Sequence, residues 1–365
     1  MQLSNTIPEK CTSMGQFLYT NCNTLSEKVV ERQYARQPEL TAKYGKKGKK
    51  LSLQDCRYHI FYLGEAICVH SKPLFLDYMQ WVKVLMHNLG IPEKYLITNF
   101  QIIKEVVSEK VAENQFTKEE ADIIHEYLDA GLMAFEEKEN DTVSYIDRNT
   151  YYGKLAGKYI DLLIEGKKNA ASDLIFSALE KGATIEDIYL NIFQPSQYEV
   201  GRLWQTNVIS VAKEHYITAS TQHIMSRLYP EMISQGNKDR TVVATCIGNE
   251  LHELGVRMVA DFFEMDGWNS YYLGANTPAE SIIQTVNDTN AQVVIVSATL
   301  SINVHKLKAL VQELRNSKDL ENTTIMVGGH PFNIDPELWE KVGADLYAPD
   351  AKQSVALANE LFDRK

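Results

Sequence analysis

The chain has 365 residues, which is enough for two or three domains. Its 37 lysines and arginines stand against 48 aspartates and glutamates, and the net charge of −11 disfavours direct binding of nucleic acid. The first residues lack the basic start and apolar core of a signal peptide, and no apolar run is long enough to span a membrane. The five cysteines are scattered without a Cys-x-x-Cys pair, which is typical of reduced thiols. We therefore expect a cytoplasmic protein with no membrane partner.

The amino-terminal two thirds of the chain is predicted to be mostly helical. Residues 1–50 show little clean periodicity, which indicates a short helix and a loop. Helices are then predicted over about 52–70, 73–90, 92–113, 117–141 and 145–165, followed by a second helical block over 169–236 with breaks at 181–184 and 194–195. Ser71 is a candidate cap for the second helix, and Thr117 with Glu120 forms the capping-box pattern of the fourth.

Histidines and aromatic residues recur at helical spacing on the first two of these helices. His59 and His70 fall on one face of the first helix, and Tyr78 and Trp81 fall on one face of the second. Core packing accounts for such a pattern, and so does a pocket for a flat tetrapyrrole between adjacent helices. Spacing alone does not decide between these two interpretations.

In the second helical block, Trp204 is followed ten residues later by Glu214 and His215. On one continuous helix Trp204 and Glu214 would not face the same way. Asn207 and Ser210 instead indicate a helix end, a turn and a new helix, so that these side chains converge from two elements. The alternatives are a core anchor for Trp204 and a solvated helix start for the Glu-His pair.

The last third of the chain alternates strands and helices. Strands are predicted near residues 241, 270, 291, 323 and 345, with helices near 254, 278, 303, 335 and 351. This order predicts a flavodoxin-like, Rossmann-like doubly wound parallel sheet. The first strand, over 241–247, ends at a Gly248-Asn249 turn, after which Glu250 is predicted to open an amphipathic helix.

His252 lies after this first strand, at the carboxyl edge of the sheet, where open α/β sheets bind ligands. A histidine alone at this position would be an ordinary loop residue. Glu250, two residues earlier, can fix the tautomer of the imidazole and raise its basicity, as in a metal site. Gly255, three residues later, lets a bulky group pass close to the backbone.

This stretch resembles the Asp-x-His-x-x-Gly signature of cobalamin-binding domains. The resemblance implies that His252 is the lower ligand of the cobalt, in place of the cofactor's own benzimidazole base. It also implies that Glu250 and Gly255 belong to the site, with Glu250 standing where the family has aspartate and Glu253 as a competing partner of the histidine. Further matches are the hydroxyls of Ser297 and Thr299, which would bond the nucleotide tail, and Gly328-Gly329, which would leave room for it.

The pattern Trp204-x9-Glu214-His215 resembles that of the B12-dependent photoreceptors that regulate carotenoid synthesis. The resemblance implies a four-helix bundle that caps the upper face of adenosylcobalamin, with Trp204, Val211, Glu214 and His215 lining the adenosyl pocket. Gln205 stands where the family has a histidine that binds cobalt after photolysis. His215 or water is then the expected ligand in the light.

The amino-terminal helices resemble the helical domain of photocobilins, which bind both B12 and biliverdin. The resemblance covers about residues 50–165 and implies a biliverdin site that is formed by His59, Tyr62, His70, Tyr78 and Trp81.

These observations predict a multidomain α and α/β protein with a bilin-binding helical domain over 1–165, a cap over 166–238 and a cobalamin domain over 239–365. The predicted function is light sensing rather than catalysis, through a homo-oligomer whose assembly depends on light and an unidentified downstream partner. The alternative is a corrinoid protein of a methyltransferase system, and a third interpretation is an interaction module with a degenerate site.

Overall fold

The computed structural model describes residues 9–137, 142–232, 236 and 238–363. Over these residues the chain forms an amino-terminal helical unit, a helical cap and an α/β domain with a parallel sheet. This is the predicted fold class. Within the same ranges, no helix combines the length and the apolar character needed to cross a membrane.

Over residues 9–137 the amino-terminal unit contains six helices: α1 (Glu9–Thr20), α2 (Cys22–Arg36), α3 (Glu39–Cys68), α4 (Lys72–Asn88), α5 (Glu93–Ala112) and α6 (Lys118–Glu137). The prediction of one short helix and a loop before residue 50 is wrong, because residues 9–50 are helical almost throughout. Residues 41–50 are mostly exposed, and Gly45 interrupts α3 with a φ of 60°. This stretch therefore has no apolar face from which a period can be recognised.

Two predicted caps have different outcomes. The capping box is confirmed, since Thr117 N donates to Glu120 Oε2 at 2.7 Å and Glu120 N donates to Thr117 Oγ1 at 3.2 Å. Ser71 precedes α4 but its side chain does not cap it; Ser71 Oγ donates to Asp335 Oδ2 at 2.6 Å. The predicted end of the fourth helix, over 138–141, lies outside the described residues.

The cap follows, with helices α7 (Tyr151–Ile164), α8 (Lys168–Glu180), α9 (Ile185–Ile188), α10 (Gln194–Gln205) and α11 (Val211–Leu228). The predicted break at 181–184 is confirmed, and so is the helix start at Ser210, whose Oγ accepts from Lys213 N at 3.3 Å. The predicted break at 194–195 is wrong: a π-helical turn, Tyr189–Phe193, leads directly into α10. A wider turn tolerates a proline because its ring no longer meets the carbonyl of the preceding turn.

One apolar core joins α7 to the other cap helices, through residues such as Tyr159, Ile175 and Ile224. The same core continues into the α/β domain at Leu254 and Phe262. We therefore propose a boundary between the first two units near residue 142, so that α7 belongs to the cap.

Over residues 238–363 the α/β domain has five parallel strands: β1 (Thr241–Cys246), β2 (Asn269–Gly274), β3 (Val293–Ser297), β4 (Thr324–Gly328) and β5 (Leu346–Tyr347). Its helices are α12 (Leu254–Met265), α13 (Ala279–Asp288), α14 (Val304–Asn316), α15 (His330–Ile334), α16 (Leu338–Val342) and α17 (Ala351–Asp363). The strand order is β2-β1-β3-β4-β5, so the order in which successive strands are added reverses between β1 and β3 while all strands stay parallel. The loops after these two strands flank the crevice in which such sheets bind ligands.

The predicted helix start at Glu250 is wrong, because α12 begins at Leu254 and residues 250–253 form a loop. Glu250 N still makes a turn hydrogen bond to Ile247 O at 3.0 Å. The helix is displaced because the side chain of Glu250 is bound by the loop after β3.

The amino-terminal unit is attached to the α/β domain through a buried carboxylate. Glu65 on α3 is completely buried and accepts from His305 N at 2.6 Å and from His305 Nδ1 at 2.7 Å. Asp77 and His330 form a second, more exposed contact at 3.0 Å.

We predict that Glu65→Ala lowers the free energy of unfolding by about 3 kcal/mol, because it leaves the His305 donors without their buried partner. Denaturant unfolding of the full chain measures this difference. Asp77→Ala is the matched control, since it removes a partly exposed pair and is expected to cost about 1 kcal/mol or less. Equal losses in the two variants would contradict the prediction.

Candidate functional site

The loop between β1 and α12 is built around the side chain of Glu250, which is completely buried. Its Oε1 accepts from His252 Nδ1 at 2.5 Å and from His252 N at 3.1 Å. Its Oε2 accepts from Thr299 N and Leu300 N, both at 2.9 Å, and from Asn303 Nδ2 at 3.4 Å. One carboxylate therefore joins the loops after β1 and β3 at the point where the strand order reverses.

These contacts determine the electrostatics of the pair. Burial raises the pKa of Glu250, but the hydrogen bonds from His252, Leu300 and Thr299 outweigh burial and lower it to about 2. The hydrogen bond to Glu250 in turn raises the pKa of His252, against the opposing effect of burial, and the charge of Glu214 adds to the rise. Glu250 is thus a carboxylate near neutral pH.

The carboxylate fixes which nitrogen of His252 is available. Nδ1–H donates to Glu250, so Nε2 is the nitrogen that remains for a metal. The side chain of His252 is 55% exposed, whereas that of Glu250 is inaccessible. The arrangement is that of a metal-binding imidazole oriented by a carboxylate.

Glu253 does not compete for His252. Its carboxylate accepts from Gln222 Nε2 at 2.8 Å, Tyr272 Oη at 3.0 Å and Ala275 N at 3.0 Å. It therefore connects the cap helix α11 to the edge strand β2.

The glycines of the site have two different roles. A Cβ at Gly255 would meet nothing within 4 Å, so this glycine leaves open space beside the His252 loop. Gly329 has a φ of 102°, and a Cβ there would lie 2.0 Å from Ala298 O, so the backbone itself requires glycine. At Gly328 the nearest atom would be Ala348 O, at 3.2 Å.

Ser297 and Thr299 lie at the end of β3, as predicted. Ser297 Oγ would be 3.2 Å from a Cβ at Gly329, which places the serine beside the glycine pair. Thr299 contributes its backbone amide to Glu250 rather than its hydroxyl.

The cap places its predicted residues at two helix ends. Trp204 lies in the last turn of α10, and Val211 and Glu214 lie in the first turn of α11, with Val211 exposed. His215 Nδ1 contacts Glu214 Oε2, and its side chain is 75% exposed. Glu214 is close enough to His252 for its charge to act on the imidazole.

The ring of Trp204 stacks on Trp81 of the amino-terminal unit, with centroids 5.9 Å apart. Beside it, Gln205 Nε2 donates to Trp81 O at 2.9 Å. Gln205 is therefore a bridge between units.

Four of the five predicted bilin-binding residues form one aromatic cluster. Tyr62 and Tyr78 stack at 3.9 Å, and Tyr78 stacks on Trp81 at 6.5 Å. His59 is buried, its Nδ1 accepts from Tyr78 Oη at 2.6 Å, and burial lowers its pKa to about 3.

The prediction that His70 shares a helix face with His59 is wrong. His70 follows the end of α3 with a φ of 51°, is exposed, and contacts Cys11 Sγ at 3.5 Å. The helix ends early because residues 66–71 form a turn, with Ser71 N donating to Ala66 O at 2.8 Å.

Several residues of the site carry no signal in the sequence. Leu300 acts through its backbone amide, and Asn303 ends a short 3-10 turn, Ser301–Asn303, that precedes α14. The one available signal is general: the loop after β3 lies beside the reversal in strand order, where such sheets bind ligands.

The site fits a cobalamin that is ligated by a histidine. The Nε2 atom of His252 is available at the reversal point, Gly255 leaves open space beside the loop, and Glu214 of the cap is near enough for its charge to act on the imidazole. Imidazole is a suitable ligand for a transition metal such as cobalt.

Comparison with known proteins agrees with this fit. Residues 240–356 match the model of a B12 binding domain, and residues 155–229 match a second B12 binding domain model. The chain therefore carries a cobalamin-binding domain. Neither match includes helices α1–α6.

The curated proteins that this chain resembles include corrinoid proteins. The chain is 27% identical over 167 residues to the dimethylamine corrinoid protein of Methanosarcina barkeri, covering 46% of this chain and 75% of the relative. It is 21% identical over 207 residues to a corrinoid protein of Desulfitobacterium hafniense, covering 55% and 94%. The solved monomethylamine corrinoid protein of Methanosarcina barkeri has the same fold over 57% of this chain and 98% of that one, with a TM-score of 0.51 and 20% identity.

We predict that His252→Ala binds hydroxocobalamin more weakly than the unmutated protein and shows the spectrum of a cofactor that carries its own benzimidazole base. Glu250→Gln is expected to retain the histidine-ligated spectrum and to lose about 10- to 100-fold in affinity. His223→Ala, which removes an exposed histidine of α11, is the control. An unchanged spectrum and affinity in His252→Ala would contradict the assignment of the lower ligand.

Proposed function

We propose that this protein is a corrinoid carrier, which holds cobalamin above His252 and passes a methyl group between partner methyltransferases. The observation that carries the proposal is the buried Glu250 carboxylate, which orients His252 at the carboxyl edge of a cobalamin-binding sheet. The resemblance to dimethylamine corrinoid proteins supports it. In this proposal the chain is not itself the enzyme, and the partner supplies the catalytic groups.

When it is bound, cobalamin supplies a metal–carbon bond that forms and breaks during group transfer. The chain's own residues do the rest. Glu250 holds Nδ1 of His252, so that Nε2 keeps one direction, and its hydrogen bonds to Thr299 and Leu300 prevent the loop from turning away. Ser297 and the glycine pair after β4 are proposed to receive the nucleotide tail.

A partner methyltransferase has to reach the upper face of the cofactor. The cap residues on that side are largely accessible: Val211 is 53% exposed, and the side chain of His215 is 75% exposed. We propose that this cap end meets the partner and that a methylated small compound is the methyl donor.

A second candidate is a light sensor that binds adenosylcobalamin, with biliverdin between the amino-terminal helices. The observation in its favour is the stack of Trp204 on Trp81, together with the hydrogen bond from Gln205 to Trp81 O. A change above the cobalt would reach the amino-terminal unit through this contact. In this candidate, His215 or water binds the cobalt after photolysis, and the output is a change in a homo-oligomer.

Methylation of bound cobalamin distinguishes the two functions. For a carrier, we predict that reduced cobalamin on the full chain reacts with iodomethane at a rate close to that of the free cofactor. We also expect methyl- and adenosylcobalamin to bind with similar affinity, since the upper face has to admit exchange.

The sensor predicts the opposite outcomes. Adenosylcobalamin would bind more tightly, Trp204→Ala would abolish that preference and Tyr151→Ala, an exposed aromatic of α7, would leave it intact. Green light would change the mass measured by light scattering, and added biliverdin would give a red-absorbing band. These results, together with slow methylation, would overturn the carrier proposal.

A further inference from the structure

A cleft of about 620 Å³ lies between the amino-terminal unit and the α/β domain. Three aromatic side chains from α1 and α3 form one wall, namely Tyr19, Tyr58 and Phe61. The opposite wall comes from the loops after β1 and β3, through Asn249, Leu300 and Asn303 among others. One wall of the cleft therefore belongs to the B12-binding match over residues 240–356, and the other belongs to helices that lie outside both B12-binding matches.

The second wall consists of the same two loops that hold Glu250. Asn249 directly precedes Glu250, while Leu300 N and Asn303 Nδ2 donate to Glu250 Oε2 at 2.9 and 3.4 Å. Tyr62, on the turn of α3 after Tyr58, is also near this carboxylate: burial, and then the charges of Asp77 and Glu250, raise its pKa to about 12. The cleft thus borders the lower-ligand site.

The chemistry of the cleft suits a large apolar ring with amide groups on its rim. Among the described residues, neither the Gln16 nor the Asn249 side chain has a hydrogen-bond partner, and both amides line the cleft. The charged groups at its end are already engaged, since His305 donates to Glu65 and Lys306 Nζ donates to Asn303 Oδ1 at 3.4 Å. Aromatic faces beside unpaired amides match the corrin ring and its primary amide side chains.

We propose that the amino-terminal helices form a third wall of the cobalamin site, and that this cleft receives one edge of the corrin ring. The proposal rests on cobalamin binding and is independent of whether the cofactor carries a methyl or an adenosyl group. It assigns Tyr58 and Gln16, which lie outside both B12-binding matches, to cofactor binding.

Both residues are exposed, so their replacement tests binding without removing core packing. The double variant Tyr58→Ala/Gln16→Ala of the full chain is expected to bind hydroxocobalamin about tenfold more weakly, from a lost aromatic contact and amide hydrogen bond. The histidine-ligated spectrum should persist, because His252 is unchanged. Tyr151→Ala is the matched control and should retain the affinity of the unmutated protein.

Hydrogen exchange of the unmutated full chain gives a second measurement. Hydroxocobalamin should slow exchange in the loop after β3 and also in α1 and α3 around residues 16–20 and 58–62. Protection of the loop without protection of α1 and α3, or an unchanged affinity of the double variant, would overturn the proposal that the amino-terminal helices form a third wall of the cobalamin site. Failure of the carrier proposal would be recognised separately, as slow methylation of a cofactor that still binds with these contacts.

Discussion

The structure of the site depends on a buried negative charge that cannot be left unpaired. Placing a carboxylate in the protein interior costs several kcal/mol, and only a full set of donors offsets that cost. Glu250 has five donors, from His252, Thr299, Leu300 and Asn303. Any loop conformation that withdraws one of them becomes unfavourable. The position of the imidazole is thus a consequence of the desolvation of its partner.

A second buried carboxylate binds a histidine in the same way, at the junction with the amino-terminal unit. Glu65 binds the backbone N–H and the ring Nδ1–H of His305, as Glu250 binds those of His252. The segment 299–305 is therefore held at one end by a carboxylate of its own domain and at the other by a carboxylate of another unit. The two differ in their number of donors: Glu65 has two, and burial raises its pKa, whereas the donors of Glu250 outweigh burial.

Periodic features could be predicted from the sequence, and contacts between distant segments could not. The five strands, the helix start at Ser210 and the relation of Glu250 to His252 follow from local patterns and were confirmed by the structure. The helix over 41–50 cannot be predicted from the sequence because an exposed helix has no apolar period, and Pro195 does not break its helix because it follows a π turn. Two hydrogen bonds join residues that are more than 200 positions apart, Ser71 to Asp335 and His305 to Glu65. No local sequence pattern around these residues indicates such a contact. The binding roles of the aromatic cluster around Tyr78 stay predictions.

The separation of Glu65 from His305 also matters while the protein is being made. The two residues are 240 positions apart, so at ordinary rates of translation the glutamate leaves the ribosome tens of seconds before its partner exists. During that interval the carboxylate has to stay hydrated, and the face of α3 around it cannot be sealed. This face of α3 therefore reaches its final packing only after the segment that contains His305 has been synthesised. The contact that attaches this unit through Glu65 therefore forms late relative to the synthesis of α3.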